Sequence, residues 1–515
     1  MNNQLNLKTS AHVVLINPYD EKWQYSASQN IVLRTVYTVL HSHGIMTSII
    51  DADIEKLSPE ICQQLLIAQK PQFIVIDFLF RKLPFIRSLV GLISHSSDLQ
   101  ECTLIVYGHS VSNHIHELMQ EFNSLDVLVL NRPEITINVL IEKMIDKKEW
   151  AEVPAIAFRR DGLKINNYIS HVGMPEGVFA DRFYLSFIEK QKSIEMSTSI
   201  GCGYRCTFCN CSDNYFPERT QWIARSAEDV FNEVEYLVRK HDRRCFQFVD
   251  HNFLGVSEYG KQRARDIADK IIESDEKIQF SFFCRLDAIE YELFSKLKQA
   301  GLCCIHVGIE SLSQRLLNRF NKNISVSQII KATKIVQKLD IKFNPSFILF
   351  EPTATLEEIE STLDFIEEYG LYLSLSATSL IPVPETQMYE MLSANNLIDK
   401  SNEIVPGYIP NVKYFDNHIV YLKNDWIMFQ KEVEKAFPHL IKWVNYYIDL
   451  YFNEFQMKIN PKTMQKIWCY KKIELQMLKH CICNTDQIHG DYLIRFFEDN
   501  RKGLEKIWLY MKNCI

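Results

Sequence analysis

The 515-residue sequence holds no apolar run long enough to cross a bilayer, which takes about 20 consecutive apolar residues. Its first residues, Met1 to Lys8, are polar and contain no apolar signal core. A cytoplasmic location is expected. No excess of positive charge exists either: 57 Lys and Arg stand against 64 Asp and Glu, a formal net charge of −7. Nucleic acids are recognised through a basic face, so this balance argues against such a partner. No internal repeat and no low-complexity tract is present. What remains is ordinary for a soluble globular chain, with 47% hydrophobic and 23% charged residues. The length suggests two to four domains. Fourteen cysteines are scattered along it. With no secretory signal, reduced thiols are expected rather than a disulfide framework.

Three of those thiols crowd into one stretch, Cys202-Gly203-Tyr204-Arg205-Cys206-Thr207-Phe208-Cys209, just after the strand-like run Ile194–Ile200. A C-x3-C-x2-C spacing on one loop can bring three sulfurs to one metal cluster. A [4Fe–4S] cluster usually takes four thiolates, so three leave one iron open to a small chelating ligand.

This stretch, with the aromatic Phe208 before its last cysteine, resembles the signature of the radical S-adenosylmethionine (radical SAM) enzymes. The resemblance implies that Cys202, Cys206 and Cys209 are the catalytic cluster ligands. It also implies that the open iron chelates the amino and carboxylate groups of SAM. Cleavage of the C5′–S bond then yields a 5′-deoxyadenosyl radical. The electron would come from an external reductant of flavodoxin or ferredoxin type. Radical chemistry belongs to the cofactor, and the protein must keep it dry and oriented.

Ahead of the cysteines, strand and helix signals alternate. Val13–Pro18 reads as a buried strand stopped by Asn17-Pro18. Further strands are expected at Thr47–Asp51, Phe73–Ile76, Thr103–Tyr107 and Asp126–Leu130. Helices are expected near Ser28–His43, Pro59–Gln69, Phe85–Ser94, Ser112–Glu121 and Glu134–Ile145. Five strands alternating with helices imply a doubly wound parallel sheet, which binds ligands outside the carboxyl ends of its strands. Such a sheet before a radical SAM core resembles the cobalamin-binding domain of the cobalamin-dependent radical SAM enzymes. The Asn17-Pro18 stop and Gly108 after strand four fit it. The Asp-x-His-x-x-Gly signature is absent, since residues 17–22 contain no histidine. The resemblance therefore implies cobalamin held without a protein histidine on cobalt, with Gly108 and His109 as contacts. Asn131-Arg132 replaces the usual Gly-Glu pair after strand five, and the larger side chain is expected to crowd that loop. Ala155–Arg159 and Leu163–Asn167 read as a hairpin around Arg160-Asp161-Gly162.

From Ile194 the alternation restarts. Strands are expected at Ile194–Ile200, Cys245–Asp250, Ile278–Cys284, Cys304–Ile309, Ile341–Leu349 and Leu371–Ile381, with helices between them. Six β/α units imply a partial barrel with its site at the carboxyl ends of the strands. There the resemblance extends to Asp250-His251-Asn252-Phe253, Arg285-Leu286-Asp287 and Gly308-Ile309-Glu310-Ser311. It implies SAM contacts from Phe208, Asp250, Asn252, Arg285, Glu310 and Ser311. Glu310 could bond ribose hydroxyls or pair with Arg285, and any of these charges could instead serve a structural ion pair. Beyond Leu397, residues Trp426–Gln456 and Lys462–Leu478 have helical spacing and many aromatics, as core or as a cap over the barrel.

The expected organisation is a cobalamin-binding-like domain over residues 1–150 and a hairpin with connector over 151–192. A partial (β/α)6 radical SAM barrel follows over 193–396, then a helical segment over 397–515. The resemblance implies a cobalamin-dependent methyltransferase acting on an unactivated carbon of a peptide or small molecule. Non-methylating radical chemistry and a non-catalytic iron–sulfur protein are the alternatives.

Overall fold

The structure, a computed structural model, describes residues 11–20, 29–108, 111–168, 173–183, 185, 192–209, 222–405, 408–455, 458–483 and 491–513. The chain divides into two compact units. The first takes in the described parts of residues 1–189, 199–203 and 210–229; the second takes in those of 190–198, 204–209 and 230–515.

The first unit is built on a sheet with five parallel strands: β1 (His12–Asn17), β2 (Met46–Asp51), β3 (Phe73–Asp77), β4 (Thr103–Tyr107) and β5 (Val127–Val129). Their order, β2-β1-β3-β4-β5, reverses direction at β1. Strands β1 and β3 are apolar on both faces and nearly all their residues are buried, as a sheet covered by helices on both sides requires. The covering helices are α1 (Ile31–Ser42), α2 (Ala52–Glu55), α3 (Pro59–Gln69), α4 (Leu83–Ser94), α5 (Ile115–Glu121) and α6 (Pro133–Ile145). Local chemistry sets several of their starts. Asn30 caps α1 by accepting from the Leu33 amide, and Ser58 caps α3 ahead of Pro59. The hairpin β6 (Ile156–Arg159) and β7 (Leu163–Ile165) does not stand apart as a connector. It adds antiparallel to β5 and completes a seven-stranded sheet among the described residues.

The second unit holds five parallel strands in the order β14-β13-β12-β11-β8. They are β8 (Ile194–Met196), β11 (Cys245–Phe248), β12 (Gln279–Cys284), β13 (Leu302–Glu310) and β14 (Lys342–Phe347). The single run expected over Ile194–Ile200 is two strands. After β8 the chain turns, and β9 (Ser199–Gly201) pairs antiparallel with β10 (Trp222–Ala224) in the first unit. The sixth expected strand is one parallel bridge, Phe350 to Ser379, preceded by a 3-10 turn at Tyr372–Ser374. Pro382 and Pro384 follow and can donate nothing to a longer ladder.

Between the strands lie α7 (Ala227–His241), α8 (Glu258–Glu273), α9 (Tyr291–Gln299), α10 (Gln314–Arg319), α11 (Val326–Lys338) and α12 (Leu356–Glu368). Reciprocal capping boxes start α11 at Ser325/Gln328 and α12 at Thr355/Glu358. The short α13 (Gln387–Ala394) is followed by the pair β15 (Ile398–Asp399) and β16 (Asn411–Val412). Four longer helices end the unit: α14 (Asn417–Ala436), α15 (Leu440–Asn453), α16 (Pro461–Cys483) and α17 (Asp491–Lys512). The continuous helix expected over Trp426–Gln456 is broken at Phe437-Pro438-His439, because a proline cannot supply the amide that an interior turn needs. Among the described residues, no helix is long and apolar enough to cross a membrane.

Candidate active site

The cysteine loop follows directly on β9. Gly201 and Gly203 flank Cys202 with φ of 76° and 78°, a left-handed backbone that turns the chain sharply on either side of the first thiol. All three cysteines are half-buried. Cys206 and Cys209 form one turn, closed by the Cys209 amide donating to the Cys206 carbonyl at 3.2 Å. Among the described residues, no three His, Cys, Asp or Glu side chains converge on a single ion. A cubane spreads its thiolates over its corners and does not ask for that convergence.

The loop rests on a platform more than 100 residues away in sequence, the turn that follows α10. Thr207 donates its amide to the Phe320 carbonyl at 3.0 Å and its hydroxyl to the Arg319 carbonyl at 2.9 Å. Asn321 donates to the Arg205 carbonyl at 2.7 Å. The Phe208 ring meets Phe320 edge-on at 5.3 Å. From the other side, the Met388 amide of α13 donates to the Thr207 carbonyl at 2.8 Å. Arg319 is itself fixed by Glu351, a fully buried carboxylate 2.7 Å away. The backbone between the second and third cysteines is thus held from two elements at once.

Above this turn stand two buried cations, Arg285 at the end of β12 and Lys322 on the platform. Arg285 reaches the Cys206 sulfur at 3.6 Å, donates to Asp287 at 3.0 Å and bonds the Lys322 carbonyl. Its guanidinium lies 3.7 Å over the Tyr204 ring, a cation–π contact. Tyr204 in turn donates its hydroxyl to Asp287 at 3.2 Å. Burial pushes the Cys206 thiol up, while Lys322 and Arg285 pull it down. A metal-bound thiolate here would find two positive charges already in place. Cys206 and Arg285 are therefore brought together, with Tyr204 and Lys322 as partners that strand-end motifs do not reveal.

Glu310 pairs with Lys322 at 3.3 Å, and Arg285 takes Asp287 instead. Glu310 has φ of 71° and sits at a break in the β13–β14 register. Its carboxylate folds back over Gly308, where a Cβ would come within 2.1 Å of Oε1. The glycine thus leaves room for the glutamate two residues on. Ser311 is buried, and its hydroxyl accepts from the Ser313 amide at 3.0 Å. Asp250 accepts from the Thr198 amide at 2.6 Å and bonds the Thr198 hydroxyl, which ties the end of β11 to the turn after β8. Asn252 donates to the Gly255 carbonyl at 2.9 Å. Both side chains brace the backbone that follows the strands.

In the first unit, the carboxyl ends of β1, β2 and β3 carry a buried polar network. Asn17 accepts from Lys82 at 2.7 Å and from Asn30 at 3.1 Å, and donates to Asp51 at 2.8 Å. Asn30 also donates to Asp77 at 3.0 Å, and Arg34 pairs with Asp51. At the end of β4, a Cβ on Gly108 would come within 2.1 Å of the Phe78 carbonyl. The two strand ends there lie backbone to backbone, with no side chain projecting from position 108. The network at Asn17 contains no histidine. Arg132 does not project into its loop. It has φ of 48° and is wholly buried, bonded to Glu134 at 2.7 Å and to the Gly173 carbonyl at 2.9 Å. His109 lies outside the described residues.

Comparison with known proteins bears on both units. Residues 196–366 match the model of the radical SAM superfamily. An uncharacterized methyltransferase of Pyrococcus horikoshii is 25% identical over 59% of this chain and 66% of its own length. The 4′-phospho-dehydrooxetanocin synthase of Priestia megaterium is 25% identical over 62% of this chain and 45% of its own. The chain thus spans between about half and two thirds of those relatives. Among solved structures, the cobalamin-dependent S-adenosylmethionine radical enzyme OxsB, with aqua-cobalamin and S-adenosylmethionine bound, superposes with a TM-score of 0.78. That match is 20% identical and covers 98% of this chain and 79% of the other. The radical S-adenosylmethionine methyltransferase TsrM of Kitasatospora setae gives 0.59 at 15% identity, over 70% and 74% of the two chains. Residues 196–366 are a radical SAM domain, and the chain as a whole has the fold of the cobalamin-dependent radical SAM enzymes.

Proposed function

We propose that this chain is a cobalamin-dependent radical SAM methyltransferase acting on an unactivated carbon. The observation that carries the reading is the Cys206 turn, anchored from α13 and the α10 platform and faced by Arg285 and Lys322. When bound, the cluster and SAM supply the 5′-deoxyadenosyl radical, and cobalamin supplies the methyl group. In this reading Cys202, Cys206 and Cys209 hold the cluster. Arg285 and Lys322 balance thiolate charge in a place where burial alone would oppose it. Glu310, held back over Gly308, is positioned for the ribose hydroxyls of SAM. The Asp250–Thr198 tie keeps the edge of β11 fixed for the SAM amino group. The strand ends of the first unit, at Asn17 and Gly108, take the corrin, and an external one-electron donor completes the system. A second reading, radical chemistry without methyl transfer, is favoured by the relative named as a synthase.

Cobalamin binding separates the two. Purified with supplied cobalamin, the protein is expected to retain it and to give a cob(II) paramagnetic spectrum without nitrogen superhyperfine splitting. Splitting by one axial nitrogen would point to His109 or to the nucleotide base of cobalamin itself and overturn the assignment of that loop. Failure to retain cobalamin in a folded chain with an intact cluster would remove the methyltransferase reading and leave the second.

A further inference from the structure

The carboxyl ends of the second unit's strands open on a cavity of about 580 Å3 that the radical SAM motifs do not account for. Glu310, the residues of β14 and the segment 373–378 form one wall. Helices α14, α15 and α16 form the other, through Gln430, Asn445, Lys471 and Glu474 among others. The helical segment therefore closes over the strand ends as a wall of the same cavity that Glu310 reaches.

That wall carries a charged pair. The side chains of Lys471 and Glu474 are 7% and 3% exposed, one turn apart on α16, with Nζ 2.5 Å from Oε2. Gln430 donates to the other carboxylate oxygen at 2.6 Å. Lys471 has no acid partner besides Glu474 among the described residues, which leaves N–H groups of its ammonium unspent. Packing alone does not call for such a pair, since replacing a buried ion pair by apolar residues of similar volume is often neutral or stabilising. The rest of the lining is mixed, with Ser376 and Asn445 beside Trp426, Ile441 and Ile448, so the buried ammonium is the feature that suits an oxygen anion on the guest. A long peptide would not fit the volume.

We propose that this cavity is the substrate pocket, and that Lys471, held by Glu474 and Gln430, recognises an oxyanion on a compact hydrophilic substrate. A carboxylate and a phosphate ester share the required chemistry. The inference rests on the proposed radical SAM activity for the identity of the guest as substrate, while the recognition itself can be tested without turnover.

The test uses the full chain with its cluster reconstituted and SAM present. Three probes share one carbon skeleton: ribose 5-phosphate, ribonate and neutral ribose. Binding is read by equilibrium dialysis and by hydrogen-exchange protection of residues 461–483. At least one anionic probe is expected to bind and protect α16, with ribose at least about tenfold weaker. Preference for phosphate or for carboxylate identifies the substrate's anion. Lys471→Met is expected to abolish the difference between anionic and neutral probes, and Lys471→Arg to keep it. Should Lys471→Met fail to fold, the Arg variant and Gln430→Leu, which should weaken anion binding by misplacing Glu474, carry the same test. No preference for the anions in the folded wild-type protein, or a preference that survives loss of the Lys471 charge, would overturn the proposal. Release of 5′-deoxyadenosine by the same wild-type preparation separates the two failures. Cleavage without anion recognition sinks only the pocket assignment, and recognition without cleavage sinks only the proposed activity.

Discussion

Anaerobic reconstitution of the Cys202→Ala/Cys206→Ala/Cys209→Ala variant is expected to drop bound iron from about four atoms per chain to less than one. The fold should survive. The three side chains are half-buried on a loop that is also fixed through its backbone and Thr207. Removing one half-buried thiol costs about 1 kcal/mol, within the usual range for a single substitution. What the variant loses is the thiolate set, and Arg285 and Lys322 are left facing a neutral methyl group at position 206. The iron count and the visible absorbance of the cluster read this loss directly. A variant that still holds about four irons would place the cluster on other cysteines and dissolve the site.

Gly308→Ala is expected to weaken SAM binding by about 10- to 100-fold while shifting thermal stability little. The new Cβ would lie 2.1 Å from Oε1 of Glu310 and 3.3 Å from Nζ of Lys322. Both are the far ends of flexible side chains, so the backbone has no need to move and the clash is relieved by swinging the carboxylate away. A charge-assisted hydrogen bond to a ribose hydroxyl, worth about 1.5–3 kcal/mol, would go with it. Position 308 does not have a left-handed backbone, so alanine itself brings no φ strain. Glu310→Gln serves as the comparison: it keeps the shape, gives up the charge and the Lys322 ion pair, and should lose less than the glycine variant. Unchanged SAM affinity in both variants would show that Glu310 is a structural ion pair only.

The strand ends were legible from β/α alternation, and the candidates there, Cys202, Cys206, Cys209, Asp250, Arg285 and Glu310, came from the cysteine spacing and the family resemblance. Their partners were not legible. Thr207 is held by Arg319 and Phe320, and Arg285 touches Cys206 across 79 residues, and such pairs leave no local pattern. The family resemblance left Glu310 open to a ribose contact or to a pair with Arg285. Lys322 takes Glu310 because the turn after α10 brings an ammonium under the Gly308 carbonyl at 2.8 Å. The left-handed backbone of Arg132 and its two partners, Glu134 and the Gly173 carbonyl, leave no local pattern in the sequence. Leu371–Ile381 alternates like a strand, yet only Ser379 finds a bridge partner, since a period of two does not guarantee a neighbour. The break at Pro438 was available in the sequence and was outweighed by the aromatic periodicity on either side. Helix α17, with apolar residues such as Phe497, Leu504, Ile507 and Met511 buried along one face, carried a helical signal that the reading stopped short of.

The central claim is that this chain cleaves SAM reductively at a cluster held by the three cysteines. The most direct measurement is the release of 5′-deoxyadenosine by the anaerobically reconstituted full-length protein, given SAM and a strong one-electron reductant, with the triple cysteine variant beside it. The account predicts 5′-deoxyadenosine from the wild-type protein even without substrate, and none above background from the variant. Persistent absence from wild-type protein that holds an intact cluster and binds SAM would contradict it and leave an iron–sulfur protein without this catalysis.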